Sequence, residues 1–200
     1  MKKTLITTFY YGDAVNVAIL KFSPDKVILL MSKERTGEDQ KKVNSAFSKL
    51  KESYGNIIKI EKADVPIYDI PEVTKNVCAL IDKERAQGNE VILHMSESRK
   101  TQSFGVLFAG FIKKSEIKGV YYIIQEENRI LPMPLLDFKL SATKKQILEE
   151  LSKGNTDIKS IIKKTGKSKA MIYAHIQELK KDAYLDNDNN LTDAGKIMRG

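Results

Sequence analysis

The stretch from His94 to Gly105, HMSESRKTQSFG, places hydroxyl groups and cations directly after an apolar run. Ser96 and Ser98 can donate hydrogen bonds to a phosphate. Arg99 and Lys100 can balance its charge, and the helix-forming sequence that follows adds backbone amides at the positive end of a helix dipole. This order of residue types predicts a phosphate-binding loop. A helix cap formed by Ser96 or Ser98, with both cations in solvent, is the alternative.

A second polar loop, TTFYYGD at residues 7–13, follows another apolar run. Ligands of open α/β sheets bind beyond the carboxyl ends of the strands, so we expect the two loops to contribute to one site. The sequence has no GxGxxG after its first strand and no GxSxG, which argues against a dinucleotide cofactor and a serine hydrolase. Gly166-Lys167-Ser168 resembles the end of a phosphate-binding loop, but Ile161 stands where the first glycine belongs and no strand precedes it.

Residues suited to metals or nucleophilic catalysis are few and scattered. His94 and His175 are the only histidines, and Cys78 is the only cysteine. They form no cluster with metal-ligand spacing, and one cysteine cannot make an internal disulfide. We therefore predict no metal site and no required cofactor, and we assign no catalytic residue. His94 is expected to face a neighbouring strand.

The first part of the chain alternates short apolar runs with helix-length segments. The runs are apolar on both faces, which is typical of strands buried in a parallel sheet. Strands separated by helices imply right-handed crossovers and a Rossmann-like, doubly wound parallel α/β sheet. The predicted strands are Leu5–Thr8, Val27–Ser32, Ile57–Ile60, Val91–Met95 and Val120–Ile124, and the predicted helices are Gly12–Phe22, Glu38–Tyr54, Pro71–Ala86 and Gln102–Lys114.

After Ile130 the pattern changes. Two prolines in LPMPL, at residues 131–135, favour an extended strand or linker. Three helices are then predicted, with N-caps at Ser141, at Thr156 or Asp157, and at Ser168; a short hairpin and a final helix follow. This order is typical of a winged helix-turn-helix. The predicted organisation is an α/β domain at 1–131, a linker at 132–140 and a winged helix-turn-helix domain at 141–200.

Positive charge is concentrated in this second part. The chain carries a formal charge of +8, and the segment from Lys139 to Lys181 holds eleven lysines against four acidic residues. Such an excess favours double-stranded DNA as a partner; a basic module that binds protein is the alternative. The third helix would enter the major groove. The predicted DNA-binding residues are Lys163, Lys164, Lys167, Ser168, Lys169, Ala170, Tyr173, Ala174 and Gln177.

The first residues, MKKTLITTFYYGD, are too short in apolar sequence for a signal peptide. No run approaches the roughly 18 apolar residues of a membrane span. A cytoplasmic protein is the expectation.

Architecture and loops together resemble the CRISPR-associated Rossmann fold (CARF) plus winged helix-turn-helix regulators of archaea, of the Csa type. Members carry a first loop with a hydroxyl residue, an aromatic and an acid, which Thr8, Phe9, Tyr10, Gly12 and Asp13 can match. Their second motif is matched by residues 94–100, except that Glu97 and Ser98 replace two glycines. Glycines let the backbone approach a phosphate, whereas Glu97 adds a side chain and a negative charge. The ligand-binding residues that the resemblance implies are Thr8, Phe9, Tyr10, Gly12, Asp13, Ser96, Glu97, Ser98, Arg99 and Lys100.

The resemblance implies a homodimer in antiviral defence that binds a cyclic oligoadenylate, most often cyclic tetra-adenylate, across its two-fold axis. Ligand binding would then change the affinity of two winged helices for promoter or operator DNA. Two alternatives remain open. One is a metal-independent ring nuclease that slowly cleaves the ring, so enzymatic activity is left undecided; the other is a dimeric repressor that binds DNA without a ligand.

Overall fold

A computed structural model of the protein describes residues 1–136 and 140–199. The chain divides into two compact units, Met1–Asp137 and Phe138–Gly200. Two hydrophobic clusters lie in the first unit and a third lies in the second. Each unit therefore has its own core.

The first unit is built on one six-stranded sheet with the order β3-β2-β1-β4-β5-β6. The first five strands run parallel, and β6 pairs antiparallel with β5. The sheet is thus mostly parallel, whereas the sequence predicted parallel strands only. The strands are β1 (Lys3–Thr8), β2 (Lys26–Met31), β3 (Lys59–Asp64), β4 (Glu90–His94), β5 (Gly119–Ile124) and β6 (Arg129–Pro132).

Helices cover both faces of this sheet. The helices α1 (Asp13–Phe22) and α2 (Gly37–Tyr54) pack on one face around Leu5, Leu29 and Ile92. On the other face, α3 (Ile70–Ala86) and α4 (Lys100–Ile112) pack around residues such as Ile6 and Leu93. Alternate residues of a central strand face opposite layers, which explains why β1, β2 and β4 are buried almost throughout. The doubly wound α/β arrangement is confirmed.

One strand lies later in the chain than predicted. The sequence indicated Ile57–Ile60, but β3 runs from Lys59 to Asp64. Ile57 is 82% exposed at the end of α2. Because β3 is an edge strand, its residues are only half-buried or exposed, and a search for apolar runs misses its second half.

The predicted linker, 132–140, begins inside the sheet. Pro132 is the last residue of β6 and pairs with Tyr121, and the Met133 amide donates to the Val120 carbonyl at 2.8 Å. Proline is tolerated there because β6 is an edge strand. Met133 and Leu135 also pack against the core. The rest of the predicted linker includes residues 137–139, which lie outside the described residues.

The amino edge of the sheet buries one carboxylate with a full set of partners. Glu84 of α3 is 0% exposed. It accepts hydrogen bonds from the Thr4 hydroxyl, the Asn89 amide and the Lys26 ammonium, each at 2.8 Å. These contacts join α3 to β1, to β2 and to the residue that precedes β4.

The described residues of the second unit, 140–199, form four helices: α5 (Ala142–Ser152), α6 (Ile158–Thr165), α7 (Lys169–Lys181) and α8 (Asp193–Arg199). The side chains of Ser141, Asp157 and Ser168 cap the first three helices, which confirms the predicted N-caps. Of the two residues proposed for α6, Thr156 and Asp157, the cap is Asp157. Gly166 ends α6 in the left-handed conformation. The predicted hairpin is reduced to one antiparallel bridge, Leu185 to Leu191, because Asp186 accepts bonds from the amides of residues 188 and 190 and closes a tight turn.

Among the described residues, no helix combines the length and apolar character needed to cross a membrane.

Candidate functional site

Loops that leave four strands enclose a cavity of about 360 Å³ at the carboxyl edge of the sheet. The loops after β1 and β4 meet there because these strands are neighbours in the sheet. Loops after β2 and β5 complete the wall. The lining residues are Tyr10, Tyr11, Arg35, Ser96, Glu97, Ser98, Arg99 and Gln125.

Five of the predicted ligand residues lie outside this wall. Phe9 is fully buried in the core beneath α1, so its ring packs against the protein instead of facing a ligand. Thr8 is also fully buried, and its hydroxyl has no hydrogen-bond partner among the described residues. Gly12 is the N-cap of α1 and has no side chain to offer a ligand. Asp13 and Lys100 are the first residues of α1 and α4, and both are exposed.

Because Glu97 replaces a glycine, its side chain was expected to add a free negative charge to the cavity. It does not. The side chain is 5% exposed and turns toward the β1 exit loop. Its carboxylate accepts hydrogen bonds from the amides of Tyr10 at 3.1 Å, Gly12 at 2.7 Å and Ala14 at 2.7 Å. The negative charge is therefore neutralised by three donors of the chain itself.

Ser96 and His94 belong to a directed chain of hydrogen bonds inside the sheet. The Ile123 amide donates to Ser96 Oγ at 2.6 Å, and Thr7 Oγ1 donates to the Thr8 carbonyl at 2.9 Å. Ser96 Oγ lies 2.7 Å from His94 Nε2, and Thr7 Oγ1 lies 2.7 Å from Nδ1. These directions place the imidazole proton on Nδ1, with Nε2 accepting from Ser96. Burial lowers the pKa of His94 to about 3, so the ring is neutral.

Neither serine caps the helix that follows. The N-cap of α4 is Arg99, without a side-chain cap bond, and Ser98 Oγ donates to the Arg99 carbonyl at 3.3 Å. The helix-cap alternative is therefore wrong. Ser98 has φ of 111°, in the region that favours glycine. The backbone thus keeps a glycine-like turn at a position where the resembled family has glycine.

Three residues of the cavity wall were not among the predicted ligand residues: Tyr11, Arg35 and Gln125. The most informative of them is Arg35. It follows β2 and is only 5% exposed, yet its side chain lines the cavity. Its Nη2 donates to Gln102 Oε1 at 3.3 Å, and its guanidinium carbon lies 4.6 Å from the centre of the Tyr10 ring. Its Nε has no hydrogen-bond partner within residues 1–136 and 140–199. Among the described residues no carboxylate forms an ion pair with it. Burial lowers the pKa of Arg35, but a guanidinium stays charged in proteins. Asp39 interacts with Arg35 electrostatically but forms no direct ion pair with it. A buried cation without a direct ion pair is costly, which indicates that an anion can bind beside it.

Tyr10, Asp39 and Arg99 form a second polar group at the cavity. The Tyr10 hydroxyl donates to Asp39 Oδ1 at 2.6 Å, and Asp39 Oδ2 lies 3.6 Å from Arg99 Nη2. The hydrogen bond to Asp39 raises the pKa of Tyr10 to about 12 and lowers that of Asp39. Tyr10 is thus a neutral donor at physiological pH. Tyr11, 60% exposed, stands edge-on to Tyr10 with ring centres 4.3 Å apart.

The residues predicted to bind DNA are exposed on α6, α7 and the turn between them. Ile172, Ile176 and Leu179 fill the core instead, so α7 turns the predicted face outward. Lys164 differs from its neighbours because it pairs with Glu150 of α5. Lys163, Lys167 and Lys169 have no ion pair among the described residues, and Lys169 Nζ lies 5.8 Å from the centre of the Tyr173 ring.

The described residues contain no group of three or more histidine, cysteine, aspartate or glutamate side chains that could hold a metal ion. Cys78 is buried, and burial raises the pKa of its thiol to about 12, which argues against a nucleophilic role.

The fold and the cavity define a Rossmann-like α/β protein with a polar site beyond the carboxyl ends of its strands. A family model described as "HFX_2341_N:-like, N-terminal" matches residues 5–128, more than half of the chain, and the chain belongs to this family. No curated protein matches the sequence.

Two solved structures share the fold. Enterococcus italicus Csm6 bound to cyclic hexa-2'-fluoro-hexa-dAMP has a TM-score of 0.55 and 13% identity, over 92% of this chain and 54% of that one. Can2 from Sulfobacillus thermosulfidooxidans in complex with cyclic tetra-adenylate has a TM-score of 0.50 and 12% identity, over 98% of this chain and 62% of that one. The chain thus spans little more than half the length of either protein.

Proposed function

We propose that this protein is a CARF-type sensor that binds a cyclic oligoadenylate in the cavity at the carboxyl edge of its sheet. The observation that carries the proposal is Arg35, a buried cation on the cavity wall without an ion pair among the described residues. A phosphate supplies the missing charge. The fold shared with Csm6 and Can2, each solved with a cyclic oligoadenylate compound, supports this ligand class.

The rest of the wall suits a nucleotide. Arg99 adds a second guanidinium, and Ser98 and Gln125 add polar groups. Tyr10 and Tyr11 offer aromatic surface that can stack on adenine. The most common ring of the resembled family, cyclic tetra-adenylate, presents four phosphates, whereas one cavity offers only two guanidiniums, so two copies of the chain are expected to share one ring.

The outer face of α4 supports a homodimer. This helix is apolar on nearly all sides: Phe104 is 47% exposed and Phe108 is half-buried, while Leu107 packs against the core. Helices that are apolar all round are usually covered on every side. A second copy of the chain is the occupant that a two-fold ligand requires.

The second unit is proposed to bind DNA as a winged helix-turn-helix, so that the ring regulates transcription of a CRISPR locus. Three lysines that form no ion pair in the described part of the chain, the capped start of α7 and its exposed face support this role. Alanine at Lys163, Lys167 and Lys169 should reduce the salt dependence of binding to duplex DNA by about three in slope. Alanine at Lys153 and Lys196, which pair with acidic residues three or four positions earlier in the chain, is the control. An unchanged slope in the triple variant would place the DNA surface elsewhere.

Slow cleavage of the ring is a second candidate. It is favoured by the two guanidiniums at one cavity, which can stabilise the charge that develops when a ribose 2′-hydroxyl attacks the adjacent phosphate and the bond to the 5′ oxygen breaks. Chromatography of the ring after long incubation would show linear adenylate products.

Calorimetry with cyclic tetra-adenylate tests the main proposal, with linear tetra-adenylate as the control. Saturable binding at one ring per two chains, with weaker binding of the linear form, is the expected result. No heat of binding with either would refute the sensor and favour a dimeric DNA-binding repressor without a ligand. DNA affinity measured with and without the ring then tests regulation.

A further inference from the structure

Glu97 fills a cradle of backbone amides that would otherwise attract an anion. The amides of Tyr10, Gly12 and Ala14 converge on its carboxylate at 2.7 to 3.1 Å. Glu97 lies in the loop between β4 and α4, 83 to 87 positions along the chain from the three residues whose amides it binds. Two strand-exit loops are thereby tied together at the cavity.

The start of α1 depends on this distant carboxylate. Gly12, its N-cap, has φ of 92° and makes no side-chain cap bond. Helix N-termini leave amides without intrahelical partners, and a negative charge there is stabilising. Glu97 thus supplies the cap that the residues next to α1 do not.

We propose that Glu97 is a positioning residue that acts as a built-in anion. It fixes the loop that carries Tyr10 and Tyr11, and it occupies the amides that a phosphate of a bound ligand would otherwise use. The site is therefore assembled before any ligand arrives, and ligand phosphates depend on Arg35 and Arg99. The dependence of ligand phosphates on Arg35 and Arg99 rests on the proposed function; the role of Glu97 in holding the loop does not.

Replacement of the carboxylate tests this role without a nucleotide. Glu97→Gly empties the cradle, Glu97→Gln keeps the volume but removes the charge, and Glu126→Gln removes an exposed charge at the same sheet edge. We expect Glu97→Gly to lower Tm by about 5 to 10 °C and Glu97→Gln by a smaller amount. Hydrogen exchange at Tyr10, Gly12 and Ala14 should become at least about tenfold faster in Glu97→Gly and stay unchanged in the control.

Rescue by formate separates an anion role from simple packing. Sodium formate should raise the Tm of Glu97→Gly more than sodium chloride at equal ionic strength, with no such difference in the wild type or in Glu126→Gln. Equal effects of the two salts, or unchanged amide exchange, would overturn the proposal. So would a Glu97→Gln variant as stable as the wild type.

The ring gives a separate readout. If the proposed function holds, Glu97→Gly should bind cyclic tetra-adenylate about tenfold more weakly because its loop is no longer held. Tighter binding would show that the carboxylate blocks the site and would overturn the positioning role. If the wild type binds no ring, the proposed function fails, while formate rescue still decides the role of Glu97.

Discussion

The two edges of the β-sheet each bury a charged side chain, and they treat it in opposite ways. At the amino edge, Glu84 is enclosed by three donors, one of them the Lys26 ammonium. At the carboxyl edge, Arg35 is nearly as buried, but its one hydrogen bond within the described part of the chain is a long one, to Gln102, and its guanidinium contacts the Tyr10 ring. Burial alone therefore does not distinguish a structural charge from a binding charge; the set of partners does.

The difference can be tested by measuring how the loss of each charge affects the stability of the fold and the binding of an anion. A buried charge with all its partners contributes to the folded state, and its loss should be seen in unfolding. A buried cation without a counter-ion contributes little to the folded state, and its loss should be seen when an anion binds.

Glu84→Gln should show the largest effect, a loss of about 3 kcal/mol in the free energy of unfolding, because Lys26 keeps its charge but loses its fully buried carboxylate and is left with the half-buried Glu61. Urea denaturation measures this loss, and Glu52→Gln on the exposed face of α2 is the control. Ring affinity should stay within about twofold of the wild type. A stable variant with weakened ring binding would erase the distinction between the two edges.

Arg35→Ala should weaken ring binding and leave the stability of the fold nearly unchanged. We expect ring affinity to fall about 100-fold, as when one charge-assisted partner is removed, while the free energy of unfolding changes by less than about 1 kcal/mol. Calorimetry and urea denaturation of the same preparation measure both. Arg129→Ala, which removes an exposed arginine paired with Glu127, serves as the control and should change neither.

A neutral buried group gives an intermediate effect that depends on pH. The folded pKa of His94, about 3, lies below its ordinary value of 6.5. Between these values the unfolded chain binds a proton that the folded chain does not. The stability due to this difference is therefore complete above pH 6.5 and is lost as pH falls, by about 2 kcal/mol at pH 5.

Urea denaturation at pH 7 and pH 5 checks this prediction. His94→Gln should remove most of the loss between the two pH values, whereas His175→Gln should retain it. If both variants lose as much stability as the wild type, the imidazole is not the group that titrates.

The smallest expected effect comes from Ser98 at the carboxyl edge. Ser98→Gly relieves a positive φ and should stabilise the protein by up to about 1 kcal/mol. Ser45→Gly, in the exposed interior of α2, should destabilise it by a similar amount. Thermal unfolding of the two variants should therefore move in opposite directions, and a loss of stability in Ser98→Gly would contradict the strain.

The layers of the first unit, and two of the four loops at the site, could be predicted from the sequence. Apolar runs predicted β1, β2, β4 and β5, whereas β3 was displaced because an edge strand needs no such run. Arg35 was missed, although applying the same rule to the loop after VILLM would have found it. The role of Glu97 could not be predicted, since it depends on amides more than 80 residues away.

The hydrogen bonds that run from Ile123 through Ser96 and His94 to Thr7 also bear on how the strands find their alignment. The three central residues of β4, between Glu90 and His94, are aliphatic. If β4 shifted by two residues along β1, its apolar side chains would therefore still face the correct layers. Such a slip would place Ile92 or Ser96 opposite Thr7 and would leave the imidazole without its partners in the interior. A single polar side chain thus makes misaligned pairings of these strands unfavourable, which the hydrophobic pattern of β4 cannot do.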